Sequence, residues 1–443
     1  MANIIMAIIK YLSILIVGGY AIVSFSALRK TTREQKKRFY FTQNLLMYLF
    51  MILSFTTIYL NTMADKVIIT GGLMIIYFIV TINLYRLIYP KVNRMLLNNM
   101  CFLISIGFVM LVRISYTRAV KQFIFCVMAT TAALILPWLF GKTKALRKFY
   151  YLYGLLGLAL LILVYIIGET TYGAMISLDL GFVSIQPSEF VKLSFVLFIS
   201  GILHKNKSFG TIVISAVLAG AHVIVLVLSR DLGSALIYFV AYIFIIYAAT
   251  GKAVYIFAGL AAASLASVAA YNLFSHVQVR VAAWYDPWSI IDDKGYQITQ
   301  SLFGIGMGGW FGMGLYKGEP SYIPVVEQDF MFSAIAEEFG GFFAIFLIMI
   351  YLNLFIVFIR VAFKCTDRFY KATVFGFAVV MGFQVFLTIG GAIKLIPSTG
   401  VTLPLISYGG SSIAATIFIF AIVQGIYINQ VREQVRKEKS NGK

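Results

Sequence analysis

Charged residues are scarce in this sequence, and their scarcity excludes most classes of protein. They make up 12% of the 443 residues, while 61% are hydrophobic; soluble proteins average about 25% charged. Soluble globular, disordered and fibrous chains are therefore excluded. Cysteine is scarcer still, and Cys101, Cys126 and Cys365 lie far apart in apolar or basic stretches. That spacing excludes a disulfide framework and a cysteine metal site.

Acidic residues are also few, with 17 Asp and Glu against 36 Lys and Arg. The basic excess, a net charge of +19, concentrates in alternate loops, including residues 29–38 and 431–443. Thirteen apolar stretches separate the loops, and most approach the roughly 20 residues that a helix needs to cross a bilayer. The sequence therefore predicts an all-α polytopic membrane protein with thirteen transmembrane helices.

The alternation of basic loops also predicts the orientation. Lys and Arg collect on the cytoplasmic side of a membrane, so residues 29–38 and 431–443 are expected inside and residues 275–329 outside. With thirteen spans, the N-terminus is expected outside and the C-terminus in the cytoplasm. We interpret the basic excess as a topology signal and a contact with anionic membrane lipids, and we expect no nucleic-acid partner.

The longest loop, residues 275–329, is rich in polar and aromatic side chains. Its tryptophans fit the aromatic belt of a membrane interface, with direct stacking on a ligand as the alternative. Carboxylates beside cations suit a ligand that carries a sugar hydroxyl and a phosphate, although a plain solvated loop has the same composition. The charged residues are Asp286, Asp292, Asp293, Glu319, Glu327, Asp329, Arg280, Lys294 and Lys317.

Within this loop, Gly304-Ile-Gly306-Met-Gly-Gly309 matches the G-x-G-x-x-G string of dinucleotide sites. Such a site needs the string between a strand and a helix of a βαβ unit, which does not fit an outer loop of a helical membrane protein. We therefore reject a nucleotide site and expect these glycines to permit tight turns and close backbone approach.

Ionisable residues within or beside the apolar stretches are costly and mark candidate functional positions. For one adjacent pair, Glu337-Glu338, a buried polar pair and a charge at the membrane edge are both compatible with the sequence. The other candidates are Glu189, Lys192, the dipeptide Arg230-Asp231 and Lys394.

Five strings of residues occur in an order that resembles one family. They are Gln186-Pro-Ser-Glu189-Phe-Val-Lys192, Asp231-Leu-Gly-Ser234, Gly295-Tyr-Gln297-Ile-Thr-Gln300-Ser301, Pro324-Val-Val-Glu327-Gln-Asp329-Phe-Met-Phe-Ser333 and Thr399-Gly400-Val-Thr-Leu-Pro404-Leu-Ile-Ser407-Tyr408-Gly409-Gly410-Ser411-Ser412. The chain resembles, over about 98–430, the SEDS family of FtsW, RodA and SpoVE, the bacterial cell-division, elongation and sporulation proteins.

The resemblance implies a ten-helix core in residues 98–430, preceded by about three extra transmembrane helices in residues 1–97 and followed by a basic cytoplasmic tail, residues 431–443. It also implies a peptidoglycan glycosyltransferase that polymerises lipid II in the bacterial cytoplasmic membrane, with a class B penicillin-binding protein as partner. The substrate-binding residues it suggests are Glu189, Lys192, Asp231, Arg280, Gln297, Asp329, Lys394, Ser407 and Tyr408.

One departure from the family concerns the catalytic acid. Members usually place an Asp in a Pro-x-x-Asp string before Gly-Tyr-Gln, and a gapless match puts Ile290 at that position. Asp292 and Asp293 follow closely, so one of them is expected to be the base, with a slight preference for Asp292. Asp286 is the weaker candidate, because it precedes Pro287 and its carboxylate suits a local turn.

The implied chemistry is inverting transfer, in which a sugar hydroxyl attacks the anomeric carbon of a donor with a polyprenyl pyrophosphate leaving group. Arg280, Lys394 or a divalent cation would stabilise the departing pyrophosphate. No metal motif is present in the sequence, so Mg or Mn would be held by carboxylates and substrate phosphates.

Two alternative functions stay open. A lipid-linked-sugar flippase would also spread polar residues over many spans, although the acids here lie mostly towards one side of the membrane. A catalytically weakened scaffold of a cell-wall synthase is suggested by Ile290. It is also suggested by Tyr172-Gly173-Ala174, which replaces the start of an Asn-Gly-Ala-x-Arg-Trp pattern usual in the family.

Overall fold

The computed structural model describes residues 2–29, 32–142, 145–171, 174–179, 181 and 184–441. Parts of three sequence features lie outside these ranges: residues 30 and 31 of the first basic loop, Tyr172 and Gly173, and residues 442 and 443 of the tail.

Helices make up most of the described residues. They are α1 (Ala2–Ser26), α2 (Arg33–Thr62), α3 (Asp65–Ile88), α4 (Arg94–Ile114), α5 (Tyr116–Ala133), α6 (Leu136–Lys142), α7 (Tyr150–Ile167), α8 (Pro187–Lys205), α9 (Phe209–Leu228), α10 (Leu232–Thr250), α11 (Val254–Leu273), α12 (Ser275–Tyr285), α13 (Tyr296–Gly308), α14 (Met331–Lys364), α15 (Arg368–Ala392) and α16 (Gly410–Asn441). Two 3₁₀ turns cover Ala145–Phe149 and Pro320–Tyr322. A three-stranded antiparallel sheet consists of β1 (Glu169–Thr171), β2 (Ala174–Asp179) and β3 (Ser184–Ile185).

Thirteen helical segments of the described residues are long and apolar enough to cross a membrane. The predicted number of spans and the all-α polytopic fold class are therefore confirmed. One span, Tyr116–Gly141, consists of α5 and α6. The two helices separate just before Pro137, which has no N–H to donate and is tolerated in the first turn of a helix. The loop 275–329 holds helices α12 and α13, and the small sheet lies between α7 and α8.

The chain forms two compact units, which are described separately. The first contains Met1–Thr131, Val279–Val357 and Val385–Gly409. Its centre is α4, in which every residue from Met95 to Val112 is buried. Gly107 of this helix lies against the backbone after α15, since a Cβ atom there would lie 2.6 Å from the Ile406 oxygen.

The extra N-terminal helices are joined to this unit through buried polar contacts. The Tyr20 ring stacks on Phe102 at 3.9 Å, and its hydroxyl donates to Asn99 Oδ1 across 3.0 Å. Asn99 Nδ2 in turn donates to Asn353 Oδ1 of α14 across 2.9 Å. Side-chain hydrogen bonds of this kind fix helix–helix pairs inside a membrane.

The second unit contains Ala132–Gln278, Phe358–Gln384 and Gly410–Lys443. Helices α7 to α10 pack on one another, and α16 packs on α6 and α8. Gly425 of α16 allows close packing, because a Cβ atom there would lie 2.9 Å from Pro137 of α6. The Met175 N–H of β2 donates to the Ser229 oxygen across 3.0 Å, which holds the sheet at the turn between α9 and α10.

Candidate functional site

The candidate site of the first unit surrounds Gly400, in the segment after α15. A Cβ atom at this position would lie 3.4 Å from Nη2 of Arg280 and 3.7 Å from Oδ2 of Asp329. Gly400 also has a φ of +73°, a conformation that glycine adopts without steric cost. A guanidinium from α12 and a carboxylate from just before α14 therefore meet at a backbone position that has no side chain.

The surroundings of Asp329 favour its protonated form. Burial raises the pKa of this carboxyl to about 6, and the nearby Arg280 guanidinium offsets part of the rise. A carboxyl whose pKa lies close to the working pH is suited to general base catalysis. Asp329 is thus an acid with both an adjacent cation and a useful pKa.

The same face of α12 contacts the start of this segment. Trp284 lies one helical turn after Arg280, and its Nε1 donates to the Lys394 oxygen across 3.2 Å. Lys394 itself has a φ of +60°, in the tight turn that ends α15. Two of the predicted substrate-binding residues, Arg280 and Asp329, therefore meet at Gly400, while α12 contacts Lys394 through its backbone oxygen.

The loop that carries the expected catalytic acids is a surface turn. Asp286 Oδ1 accepts hydrogen bonds from the N–H groups of Trp288 at 3.2 Å and Ser289 at 3.4 Å, so its carboxylate closes a local turn. The Ile290 oxygen accepts from the N–H groups of Asp293 and Gly295.

Asp292 and Asp293 are both exposed on this turn. Gly295 lies underneath them, where a Cβ atom would overlap the Pro287 oxygen. Gln297, another predicted substrate-binding residue, is exposed in the first turn of α13. These three side chains face the outside of the turn, so they are accessible to a ligand in solution or at the membrane surface.

Ser407 is engaged in holding the backbone. Its hydroxyl donates to the Gln328 oxygen across 2.5 Å and accepts from the Leu403 N–H at 3.1 Å. Gln122 Nε2 of α5 donates to the Ser407 oxygen across 3.1 Å. With 3% of its surface exposed, Ser407 ties the segment after α15 to the residues just before α14, which fixes the position of Asp329.

Tyr408 belongs to a second cation–carboxylate pair. Its N–H donates to the Glu327 oxygen across 2.7 Å, and the Glu327 carboxylate forms an ion pair with Arg118 of α5. The Arg118 guanidinium lies 5.7 Å from the centre of the Tyr408 ring, within the range of a cation–π contact. Sequence reasoning missed Arg118, although a cation in the first turn of an apolar helix was a usable signal.

Glu337 and Glu338 form a buried polar pair, which decides between the two sequence interpretations. Arg113 Nε donates to Glu338 Oε1 across 2.7 Å, and Arg113 Nη2 donates to the Gly318 oxygen across 2.9 Å. Glu337 Oε1 accepts from the Glu319 N–H at 2.6 Å. Both carboxylates thus organise the loop 275–329 from inside α14.

The glycine string lies mostly in a helix, so the expectation of tight turns was wrong for its first part. Gly304 and Gly306 are within α13, and only Gly309 has a positive φ, +53°, where that helix ends. The expected close approach occurs at Gly308, whose Cβ would overlap the Ala336 oxygen. The pattern predicted the close contact but not the helix that makes it.

Helix α14 is kinked at Gly340, where φ is 89°. This kink lies opposite the end of α13. The N–H of Gly341 donates to the Gly309 oxygen at 2.8 Å, and the Gly314 N–H donates to the Glu338 oxygen at 2.8 Å. The kink therefore presents backbone groups that hold the segment between α13 and the 3₁₀ turn.

In the second unit, Glu189 and Lys192 neutralise each other. Lys192 Nζ lies 2.6 Å from Glu189 Oε2 and donates to Gln384 Oε1 of α15 across 3.0 Å. Both side chains are buried, and a buried charge is tolerated when it is paired and hydrogen-bonded. The pair therefore connects α8 to α15.

Asp231 is the N-cap of α10. Its Oδ1 accepts from the Ser234 N–H at 3.1 Å, and its Oδ2 accepts from the Ser188 hydroxyl at 3.2 Å. Tyr238 donates to the Ser188 oxygen across 2.7 Å. Burial raises the pKa of the Asp231 carboxyl, although these hydrogen bonds oppose the rise. These contacts indicate that Asp231 has a structural role at the start of α10.

No group of three or more His, Cys, Asp and Glu side chains is arranged to hold a metal ion within the described ranges.

The sequence model of the FTSW_RODA_SPOVE family, described as "Cell cycle protein", matches residues 93–432. The peptidoglycan glycosyltransferase RodA of Mycobacterium leprae is 31% identical over 384 residues, which cover 80% of this chain and 81% of the relative. The probable peptidoglycan glycosyltransferase FtsW of Francisella salina is 33% identical, with coverage of 70% and 79%.

Solved structures share the fold. A chain of a peptidoglycan synthase complex that coordinates polymerization and crosslinking superposes with a TM-score of 0.66 and 27% identity, over 76% of this chain and 98% of that one. The rod shape determining protein RodA of Thermus thermophilus gives a TM-score of 0.57 and 25% identity, with coverage of 76% and 96%.

Proposed function

This chain belongs to the FtsW, RodA and SpoVE family of cell cycle proteins, as its motifs indicated, and we propose that it is a peptidoglycan glycosyltransferase. Its proposed reaction is the polymerisation of lipid II into glycan strands during division, elongation or sporulation. Relatives that carry the name of this activity cover most of the chain, and the Arg280–Asp329 pair at Gly400 offers the groups that the reaction needs.

In this mechanism a hydroxyl of the acceptor sugar attacks the anomeric carbon of the donor. The hydroxyl proton moves to a carboxylate, and the bond to the pyrophosphate breaks with its electron pair on the leaving oxygen. A positioned base contributes about 10²- to 10⁴-fold in rate. We propose that Asp329 accepts the proton. Arg280 and Lys394 stabilise the negative charge on the departing pyrophosphate, because their cations suit phosphate oxygens.

Arg280 couples leaving-group binding to the strength of the base. Its positive charge lowers the pKa of Asp329 from the value that burial alone would give. A pyrophosphate bound to the guanidinium would offset that charge, and the pKa of Asp329 would rise. The carboxylate therefore becomes a stronger base when the donor is in place.

Asp292 and Asp293 are the rival bases, because they follow Ile290 in the loop that usually supplies the acid. Their exposure on the surface turn suits an acceptor sugar that arrives from outside. A divalent cation, Mg or Mn, would add Lewis-acid stabilisation of the leaving group. Loop carboxylates other than the base, together with the substrate phosphates, would hold it.

The partner and the orientation extend the same proposal. A structural relative is part of a peptidoglycan synthase complex, which supports a class B penicillin-binding protein as partner. The thirteen apolar helices make the chain a multi-pass membrane protein of the bacterial cytoplasmic membrane. We place the C-terminus in the cytoplasm, since basic residues collect on that side.

The direct test is polymerisation of labelled lipid II by the purified full-length protein, with and without a co-expressed penicillin-binding protein. Asp329→Asn should reduce the rate about 10²- to 10⁴-fold, while Glu319→Gln, at an exposed acid of the same loop, should leave it unchanged. An active Asp329→Asn variant together with inactive Asp292→Asn or Asp293→Asn would move the base to the surface turn.

Ile290 favours a second candidate, a scaffold of a cell-wall synthase that has lost most of its activity. The glycosyltransferase and the scaffold predict different activities for one variant. If the parent protein is inactive, Ile290→Asp should restore polymerisation, because it returns an acid to the position where the family usually has one. An inactive Ile290→Asp variant that still binds its penicillin-binding partner would support the scaffold function. It would also show that the missing acid alone does not explain the inactivity.

A further inference from the structure

A cavity of about 410 Å³ lies in the second unit, at the ends of helices α8, α10 and α14 and the beginning of α15. Its apolar walls include Tyr247, Phe363 and Phe375. None of the described residues that line it is acidic, whereas Lys207, Arg368 and Lys371 are cationic. Three positive charges from two separate segments therefore surround one mostly apolar space.

The local contacts leave this charge only partly compensated. Lys207 donates to the Ala249 oxygen, which is neutral, and Lys371 Nζ lies 5.1 Å from the centre of the Phe363 ring. Asp367 is the acid next to Arg368 in sequence, but its Oδ2 lies 3.0 Å from Arg147 and its Oδ1 accepts from the Phe369 N–H at 2.8 Å.

The beginning of α15 adds to the imbalance. Arg368 and Lys371 lie in the first turn of this helix, at the positive end of its dipole, where cations are unfavourable and anions are stabilised. His204 also lines the cavity, and its Nδ1 is buried with no hydrogen-bond partner in the described part of the chain. An anion in the cavity would be stabilised by the cations and the helix dipole together.

We infer that this cavity binds the phosphate of an anionic phospholipid, with acyl chains along Tyr247, Phe363 and Phe375. The apolar walls select a phosphate that carries a hydrocarbon chain over a free phosphate ion. The helix ends around the cavity carry basic residues, which predicts that it faces the cytoplasm, and basic pockets between helices on that side are suited to anionic headgroups. This site is separate from Gly400 and does not depend on the proposed glycosyltransferase activity.

The test counts lipids that stay bound to the full-length protein, by native mass spectrometry in a mild detergent with added phosphatidylglycerol. The double variant Arg368→Gln/Lys371→Gln should bind about 10- to 30-fold more weakly, because each surface cation contributes about fivefold in affinity. Arg368→Lys/Lys371→Arg keeps both charges and should retain the lipid. The matched control is Lys364→Gln, which removes an exposed charge from the same end of α14 outside the cavity lining.

Two competitors identify the ligand. Phosphatidylcholine has the same chains without net charge and should displace phosphatidylglycerol poorly, whereas inorganic phosphate has the charge without chains and should not displace it. Equal retention of both lipids by the parent protein would overturn the proposal, as would equal losses in the double variant and Lys364→Gln. Displacement by inorganic phosphate would show that the cavity binds a soluble phosphate and not a lipid. If the double variant does not fold, the single variant Arg368→Gln takes its place.

Discussion

Lys10 of α1 donates a hydrogen bond from Nζ to the Gly312 oxygen across 2.8 Å, although 302 residues separate the two in sequence. The stem of the lysine lies beside Gly314, since a Cβ atom there would lie 3.5 Å from Lys10 Cδ. The next residue, Tyr11, meets Phe311 edge to face, with ring centres 5.8 Å apart. Helix α1 precedes the part of the chain that the family matches, so an added helix holds the glycine-rich segment of the loop 275–329.

Lys10→Met should loosen this segment, because methionine keeps an apolar stem and removes the hydrogen bond. A net loss of about 1 kcal/mol corresponds to roughly fivefold faster amide exchange in residues 309–318. Hydrogen exchange with mass spectrometry measures the change. Lys66→Met, at a lysine over the Tyr116 ring, is the matched control, and Lys10→Arg should restore protection. Unchanged exchange in Lys10→Met would remove the lysine from this role.

Arg113 and Glu338 provide a stability test inside the same unit. Arg113→Met leaves the Glu338 carboxylate buried without its cation, which costs about 3–5 kcal/mol when one partner of a buried pair is removed. The double variant Arg113→Met/Glu338→Leu removes both charges and should recover much of the loss. Thermal unfolding in detergent compares the three proteins, and a double variant less stable than Arg113→Met would contradict the account.

Hydropathy predicted the spans, because a helix in a bilayer satisfies its own backbone groups and needs only length and apolar side chains. The resemblance predicted Arg280 and Asp329 as substrate-binding residues, and one of the five strings contains Gly400. Their meeting at one point could not be predicted, because it depends on how α12 packs on the segment after α15. The bond from Lys10 has no sequence pattern at all; a lysine near a chain end resembles any membrane-edge charge.

The orientation can be tested with two cysteine substitutions. The native cysteines are buried, while Ser321 in the outer loop and Ser440 near the end of α16 are exposed. An impermeant thiol reagent on intact cells should label Ser321→Cys and leave Ser440→Cys unlabelled until the cells are opened. Labelling of Ser440→Cys alone in intact cells would reverse the topology.

Gly400→Ala tests whether the site where Arg280 and Asp329 meet requires a residue without a side chain. The added Cβ would contact Arg280 and Asp329 at ordinary van der Waals distances and occupy space beside both groups, and the positive φ would add a strain of about 1–2 kcal/mol. We expect a loss of lipid II polymerisation well beyond the loss of stability. Gly251→Ala is a close control, because its φ of +72° is nearly the same and nothing lies within 4 Å of its Cβ position. Equal activity losses in the two variants would assign the effect to backbone strain alone.

Arg280→Gln should move the acidic limb of the pH–rate profile. If Asp329 is the base, polymerisation rises as its carboxyl loses the proton, at a pH of about 6 in the parent protein. The Arg280 charge stabilises the carboxylate, so its removal raises the pKa of Asp329 further, and the limb moves to higher pH. The limb is measured in kcat/KM, which reports the pKa of the free enzyme, and a uniform loss of substrate binding lowers the rate without moving the limb. Lys294→Gln removes an exposed cation of the same loop and should leave the limb in place. A limb that moves to lower pH in Arg280→Gln, or that persists in Asp329→Asn, would show that another group accepts the proton.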